Sequence, residues 1–409
     1  MKRLSGNSRL LAALAASMIL ISCRGPSGNA LPNNVLPANR LPVQTQSVNP
    51  GIQRPTIESL DWVPRFTVIQ PTDLDYEALR NGTTTTIPYY TGSIKSPLTG
   101  KTYTYDIVGK DPTKSDRTTE IPYVPIVLVV TFPDGTVLDP RLPACKDTVS
   151  VEDRFLHGPN FQRTPLVSNG VYVGKVQLND AFQRAEFWTM LKGRGYHTEL
   201  TAAAAPIVVS IKAPKGSSTL QNPAPGCSKS DPLVGLIPLD VYDPIIRALV
   251  RRYATTTQVA LVLTHAVYVT QPGFIYIGYH GAFRRRSGTQ VYAWATYNDP
   301  RIFIHNGKHY PVEDITTWTH EIAEFHNDPF VSNRTPRWGH VGQQSGCQSN
   351  LEVGDPLTTR SYKVVYNGFT YHPQELAFFS WFFRTPSTGT GGLYSNEGKF
   401  TTYQSLCKQ

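Results

Sequence analysis

The sequence predicts an α+β (or α/β) protein whose N-terminal part is rich in β-strands, and three observations carry this prediction. Residues 83–109 alternate β-branched and aromatic residues with turn residues, which is typical of short strands. The strongest strand pattern follows at 124–132 and is closed by the turn Pro133-Asp134-Gly135. From residue 180 onwards, helical periodicities interleave with apolar, strand-like runs.

The composition excludes several classes of protein. The 409 residues include 31 Gly and 33 Pro, and 17% are charged, so a coiled coil, a collagen and a charge-rich disordered chain are excluded. The net charge of +9 is moderate, and its positive residues are scattered along the chain. We interpret the run 284–286, three arginines, as a solvated hairpin tip. No nucleic-acid partner is predicted.

Residues 1–23 predict a lipoprotein signal peptide. Lys2, Arg3 and Arg9 form a basic start, and an apolar run at 10–21 follows that is too short to span a bilayer. The last four residues, LISC, resemble the bacterial lipobox, which implies cleavage before Cys23 and lipid attachment to it. We therefore expect an extracytoplasmic protein anchored to a bacterial membrane, the outer one if present, because residue 24 is not Asp. The alternative is an ordinary secretory signal.

The remaining cysteines predict disulfides. In an oxidising compartment an even set of four can form two bonds, and three connectivities stay open. Free buried cysteines are the alternative, and the absence of a C-x-x-C pair argues against a thiolate zinc site. The candidates are Cys145, Cys227, Cys347 and Cys407.

The chain divides into four predicted parts. The signal peptide (1–23) precedes a disordered Pro-rich tether (24–56), a β-rich segment (57–165) and an α/β domain with a disulfide-stapled C-terminal part (166–409). In the last part, helices are predicted to start near Asp180 and Asp240, and an all-round apolar helix at 374–384. Strands are predicted there at 207–211, 259–269, 274–279 and 290–297.

A helix predicted at 312–328 carries the residues best suited to chemistry. His320 and Glu324 lie one turn apart on one face, as do the metal ligands of the familiar H-E-x-x-H helix, and a carboxylate can replace the second histidine. Glu321 lies beside them, where it could act as a general base. The alternative is an exposed acidic helix face with a stray histidine.

Further candidates lie around this helix. Glu352 and Asp355, downstream of a cysteine, are candidates for the third metal ligand, although both could be ordinary turn carboxylates. His280 follows an apolar strand and could position a substrate, or it could be a satisfied residue at a strand end. Trp338 and His340 could line a cleft, although core packing explains Trp338 as well.

Three segments resemble a known group of proteins. They are THEIAEFHNDPF, TPRWGHVGQQSGCQSNLEVGDPL and NGFTYHPQELAFFSWFFR, within about residues 260–400. They are similar to secreted bacterial and fungal proteins with an H-E-x-x-E-x-x-x-D-P helix, a later E-[IV]-[AG]-D segment and a closing aromatic element. The plant EXORDIUM (phosphate-induced protein) family carries a comparable helix. The resemblance implies a zincin-like metalloprotease-type domain at 166–409.

The same resemblance implies roles for individual residues. His320 and Glu324 correspond to the helix ligands, Glu321 to the general base, and Glu352 or Asp355 to the later acidic segment. The sequence departs from the group's pattern because no cysteine follows Asp355. This departure leaves the local disulfide arrangement and the ligand geometry open.

The predicted function is that of a metal-dependent hydrolase, first of all a peptidase acting on a peptide or protein. A site of one histidine and two or three carboxylates could hold zinc, with manganese, iron or calcium as rivals. Its negative charge would weaken the metal as a Lewis acid. The alternative is a non-catalytic cell-surface binding or structural protein with a degenerate or structural metal site. The oligomeric state stays open.

Overall fold

A twelve-stranded mixed sheet organises the molecule, as seen in a computed structural model of the chain. The structure describes residues 35–36, 54, 64–145, 147–221, 233–305, 307–403 and 407–408. The signal peptide with Cys23, most of the predicted tether, and Cys227 lie outside the described residues. Among the helices of the described part, none is both long and apolar enough to cross a membrane.

The strands are distributed along the whole described chain. They are β1 (Val35–Leu36), β2 (Arg65–Ile69), β3 (Tyr89–Lys95), β4 (Thr102–Val108), β5 (Thr118–Thr131), β6 (Val137–Leu138), β7 (Thr164–Ser168), β8 (Val171–Val176), β9 (His197–Ala202), β10 (Ile207–Lys212), β11 (Ser218–Gln221), β12 (Leu233–Pro238), β13 (Val259–His265), β14 (Val267–Gln271), β15 (Phe274–Arg285), β16 (Gly288–Tyr297), β17 (Ile304–His305), β18 (Lys308–His309), β19 (Arg334–Gly339), β20 (Cys347–Asn350), β21 (Val364–Tyr366) and β22 (Phe369–Tyr371).

The helices are fewer and mostly short. They are α1 (Tyr76–Arg80), α2 (Val151–Leu156), α3 (Leu178–Glu186), α4 (Trp188–Leu191), α5 (Leu239–Tyr253), α6 (Thr316–Asn327) and α7 (Phe379–Phe383), with 3-10 turns at Asp355–Leu357 and Thr390–Gly392.

The order of strands in the large sheet is β1-β10-β5-β13-β16-β15-β14-β12-β11, and off this path β2 pairs with β15 while β6 and β9 pair with β5. The pairs β10–β5, β5–β13 and β13–β16 are parallel, whereas β15 runs antiparallel to β16 and β14. β5, from the predicted N-terminal segment, lies between β10 and β13. The two segments predicted at 57–165 and 166–409 therefore share one sheet.

Alternating side chains bury both faces of the central strands. On one face, Leu261 and Ala293 pack in a core with residues of α3 and α6. On the other face, Val262 and Trp294 pack in a second core with residues of α5. Since both faces are covered, the central strands consist of nearly continuous apolar residues, as is usual for buried parallel sheets.

The predicted fold class is wrong. The described residues are 39% strand and 19% helix, with a large curled mixed sheet, whereas a zincin-like domain is rich in α-helix. The helix predicted at 374–384 shows one reason for the difference. Its first residues form bridges to other segments, Gln374 to Ser361 and Ala377 to Ser395, and the helix is limited to Phe379–Phe383. Apolar periodicity does not reveal such long-range backbone partners.

Two described parts of the predicted tether contact the sheet. β1 pairs antiparallel with Ser210 and Ile211 of β10. Arg54 forms an ion pair with Asp134, with 3.2 Å between the guanidinium and a carboxylate oxygen. These contacts attach two points of the segment 24–56 to the body.

Candidate metal centre

Helix α6 holds the predicted catalytic residues in the core. It packs against β15 and β16, and every one of its residues is buried. It ends at Asp328, before Pro329, which cannot continue a helix. His320, Glu321 and Glu324 are at most 1% exposed. The alternative of an exposed acidic helix face is therefore wrong.

His320 directs one ring nitrogen at two carboxylates. Its Nε2 is 3.0 Å from Oε1 of Glu324 and 3.7 Å from Oδ1 of Asp355. Phe66 of β2 stacks on the imidazole, with 3.4 Å between the ring centroids. On the far side, Nδ1 lies 3.2 Å from Oε1 of Gln374, which can only accept. Nδ1 therefore donates to Gln374, and Nε2, which faces the two carboxylates, is the nitrogen that a cation would bind in place of a proton.

Gly354 brings the downstream segment against the helix. Its N–H donates to Oε1 of Glu324 over 3.1 Å, and its carbonyl accepts from Nε2 of Gln374 over 2.7 Å. A Cβ atom at this position would overlap the ring of His320. The glycine therefore permits the segment to approach α6 closely, which places Glu352 and Asp355 beside the helix ligands.

His280 of β15 joins the cluster from the sheet. Its Nδ1 is 3.5 Å from Oε2 of Glu321 and 3.7 Å from Oε2 of Glu324, and its Nε2 is 3.3 Å from the carbonyl oxygen of Asp328. Gly278, two residues earlier on the same face, leaves room for Glu321, since a Cβ there would lie 2.5 Å from Oε1. The sequence predicted His280 to be a substrate-positioning residue or a satisfied residue at a strand end, and not a member of the metal cluster.

The downstream carboxylates are held by amide side chains. Nδ2 of Asn350 donates to Oε1 of Glu352 over 3.0 Å. Asp355 accepts from three glutamines that sequence reasoning missed: Gln343, Gln344 at 2.8 Å and Gln348 at 3.3 Å. The run Q-Q-x-x-x-Q so close to Asp355 is a sequence signal that could have indicated them.

Several buried polar atoms of the cluster lack a hydrogen-bond partner. They are Nδ1 of His280, Nε2 of His320, both carboxylate oxygens of Glu321, and Oε2 of Glu352. Buried polar atoms are normally satisfied, so this concentration of lone pairs fits a cation. The cluster contains two groups of three residues, and within each group the ligand atoms lie within 4.8 Å of one another. The first group is His320, Glu321 and Glu324, and the second is His280, Glu324 and Glu352. These residues could bind a metal ion.

The electrostatics of the cluster also favour a cation. Burial, together with the charges of Glu324 and Asp355, raises the pKa of Glu321 well above its ordinary value. Burial and nearby carboxylates likewise raise the pKa values of Glu352 and Asp355. Burial lowers the pKa of His280 to about 4. Burial opposes ionisation of Glu324 too, but His320 outweighs it and lowers the pKa of that carboxyl.

A polar cavity of about 270 Å³ adjoins the cluster. Glu324, Glu352 and Asp355 form part of its lining. The other lining residues include Arg65, Phe66, Phe274, Tyr276, Gln343, Gln344, Gln348 and Asn350. The carboxylate side of the cluster is thus accessible to a small polar group.

Two predicted substrate-binding residues lie outside this cavity lining. Trp338 is fully buried, packs against Trp381 and Phe382, and donates from Nε1 to the carbonyl oxygen of Asn350 over 2.8 Å. His340 is exposed at the end of β19. The other six predicted site residues, on α6, β15 and the segment after β20, all converge on the cluster. They are His280, His320, Glu321, Glu324, Glu352 and Asp355.

A disulfide ties the segment after β19 to the C-terminus. Cys347 and Cys407 are bonded, with 5.8 Å between their Cα atoms. Cys145 is also disulfide-bonded. His340 lies near the first bond, with 3.9 Å between its Nε2 and Sγ of Cys347.

No family model, curated protein or solved structure matches this chain. The resemblance to the EXORDIUM family therefore stays a prediction, and the roles of the site residues rest on the geometry above.

Proposed function

We propose that this protein is a metal-dependent hydrolase with zinc as its metal and peptides as its substrates. One observation carries the proposal. Imidazole nitrogens and carboxylate oxygens lie close together in a buried cluster, and three of its carboxylates line a polar cavity. A catalytic metal site needs such an opening, since one coordination position must stay available to substrate.

The proposal gives the site residues two roles, metal binding and proton transfer. When bound, a divalent ion supplies Lewis acidity that polarises a carbonyl group and acidifies water. His320 and Glu324 would hold it, together with Glu352 or Asp355. Glu321 accepts no hydrogen bond at either oxygen, and once ionised beside a bound cation it would take a proton from the attacking water and return it to the leaving amine.

The cavity supports an amide-bearing substrate. The side chains of Gln344, Gln348 and Asn350 offer both donors and acceptors, which suits the alternating N–H and C=O groups of a peptide. Arg65 lies at the same cavity, its guanidinium 4.9 Å from the ring centroid of Phe274, where it could pair with a substrate carboxylate.

A structural metal site is the second candidate. Its supporting observation is burial, because His280, His320 and Glu321 are all fully buried and the cavity reaches only the carboxylate side. A structural ion would stabilise the fold without turnover. It would make the thermal midpoint depend on metal while leaving peptides intact.

The test compares metal content and peptide cleavage in the protein purified without chelator. Glu324→Ala should lose the metal and the activity together, whereas Glu321→Gln should keep the metal and lose at least about 100-fold in rate, as expected for general-base catalysis. A Glu321→Gln variant that cleaves a peptide library as fast as the unmutated protein would contradict the proposed role. Bound metal without any cleavage would favour the structural alternative.

We also propose an extracytoplasmic location with a lipid anchor on Cys23. The bond between Cys347 and Cys407 supports an oxidising compartment, because such bonds are rare in the cytosol. Fatty-acid labelling in a bacterial host should mark the unmutated protein and leave Cys23→Ala unlabelled. Equal labelling of both would contradict the anchor.

A further inference from the structure

The two imidazoles of the cluster approach Glu324 from different sides. Nε2 of His320 faces Oε1 over 3.0 Å, and Nδ1 of His280 faces Oε2 over 3.7 Å. Each oxygen of this one carboxylate therefore has its own imidazole. A carboxylate in this position can bridge two ions.

Both imidazoles are oriented so that a lone pair points into the cluster. His320 donates from Nδ1 to Gln374, and Nε2 of His280 lies 3.3 Å from the carbonyl oxygen of Asp328, which can only accept. Such contacts to the second ring nitrogen are the usual way in which proteins fix a metal-binding histidine. The nitrogens that remain, Nε2 of His320 and Nδ1 of His280, face carboxylate oxygens without the geometry of a hydrogen bond.

The ligand atoms form two sets and not one. His320, Glu321 and Glu324 form the first, and His280, Glu324 and Glu352 form the second. Neither set contains both imidazoles, and Glu324 is the shared member. Ligands of one zinc ion lie roughly 2.0–2.2 Å from it, so they are separated by at most about 4.4 Å. One ion therefore satisfies one set and leaves the other without a cation.

The charge of the cluster, with its four carboxyl groups ionised, is compatible with two divalent ions. Glu321, Glu324, Glu352 and Asp355 are each at most 6% exposed. When ionised, they place four negative charges close together at low exposure, and uncompensated buried charge is very costly. One divalent ion would leave two of these charges unbalanced, whereas two ions would balance all four.

We propose that the cluster is a dinuclear centre in which two divalent cations share the carboxylate of Glu324. The first ion takes His320, whose Nε2 also lies 3.7 Å from Oδ1 of Asp355, and the second takes His280 and Glu352. This inference rests on the proposed function and concerns the same site. In hydrolytic enzymes, a pair of ions can stabilise the attacking and the leaving groups together. The cluster as a whole contains two imidazoles and four carboxylates, which is the composition of carboxylate-bridged di-iron and di-manganese centres, so Mn²⁺ is a suitable probe.

The test is the stoichiometry of Mn²⁺ bound to the full chain after removal of metal. The unmutated protein should bind two Mn²⁺ per chain at saturation and give the electron paramagnetic resonance spectrum of a spin-coupled pair. His280→Ala and, as a milder change, His280→Gln should bind one Mn²⁺ with an uncoupled spectrum. The matched control is His340→Ala, at an exposed histidine outside the cluster, which should still bind two.

The outcomes separate this inference from the proposed function. One Mn²⁺ per chain in the unmutated protein, or two coupled ions in a folded His280→Gln, would overturn the dinuclear centre. Peptide cleavage by a protein with one ion would contradict the dinuclear centre and leave the hydrolase proposal standing. Two coupled ions without cleavage would support the centre and contradict the hydrolase. A thermal melt of each variant establishes that it is folded.

Discussion

Gly354 illustrates how one residue without a side chain determines the site. Its φ of −85° is accessible to any residue, so the requirement is space and not backbone conformation. Its amide donates to Glu324, and a Cβ would overlap the ring of His320. The sequence around Gly354 indicates a candidate acidic segment, but it does not reveal which residues the glycine contacts.

We predict that Gly354→Ala weakens both folding and metal binding. Because the new methyl group must displace His320, the free energy of unfolding should fall by about 1–3 kcal/mol, as in other overpacked sites. Thermal melts and metal titration check this. The control is Gly346→Ala, where a Cβ would meet no atom within 4 Å. Equal metal affinity in the two variants would contradict the prediction.

We predict that Gln374→Ala weakens metal binding although Gln374 is not a ligand. Its Oε1 accepts from Nδ1 of His320, and losing such a partner typically costs about 10–100-fold in metal affinity. The matched control is Gln183→Ala, since Gln183 is also buried but donates to the carbonyl oxygen of Val108. That variant should lower stability and leave the metal affinity unchanged, as a competition assay with a chelator can measure.

At the scale of elements, the β19–β20 pair links the site to the C-terminus. The pair ends at Asn350, which holds Glu352, and Cys347 at its start is bonded to Cys407. The sequence indicated that these cysteines could pair. Their partner choice follows from the tertiary structure, because three connectivities of four cysteines are compatible with the sequence.

We predict that the double variant Cys347→Ala/Cys407→Ala is less stable by up to about 4 kcal/mol, from the chain entropy of a loop of 60 residues. Chemical denaturation checks this. Reduction of the unmutated protein is a poorer test, because Cys145 is also disulfide-bonded. If the double variant unfolds at the same denaturant concentration as the parent, the bond does not stabilise this part of the fold.

At the scale of the whole molecule, Glu186 couples stability to pH. It is fully buried where α3 meets α7, and its Oε2 accepts from the amide of Phe379 over 3.1 Å. Burial raises its pKa from 4.5 to about 8. Between these pH values the folded state holds a proton that the unfolded state releases. The contribution of Glu186 to stability is therefore full below pH 4.5 and is lost as the pH rises towards 8.

We predict that Glu186→Gln flattens this decline. The amide keeps the shape of the protonated acid, so the variant should resemble the parent near pH 5 and exceed its stability by a few kcal/mol near pH 8, on the order given by linkage. Denaturation curves at several pH values measure the difference. Glu77→Gln, at an exposed position, is the control and should follow the parent. Parallel curves for all three proteins would contradict the role of Glu186.

Local features of this protein can be predicted from its sequence. Helix α6, with His320, Glu321 and Glu324 on adjoining faces, follows from a 3.6-residue periodicity, and the central strands follow from apolar runs. The acidic residues Glu352 and Asp355 were recognisable as candidates because they lie near a cysteine. These features depend on residues that are close in the chain, so a pattern can reveal them.

The fold class and the complete set of residues in the cluster depend on tertiary contacts. His280 faces α6 because β15 pairs in one register with β16 and β2, and a shift of one residue would turn Tyr279 towards the helix instead. The mixed sheet likewise depends on pairing between distant strands, and the helix predicted at 374–384 was shortened by such partners. Contacts between distant residues depend on pairing and packing energies of the whole chain, which periodicity does not encode.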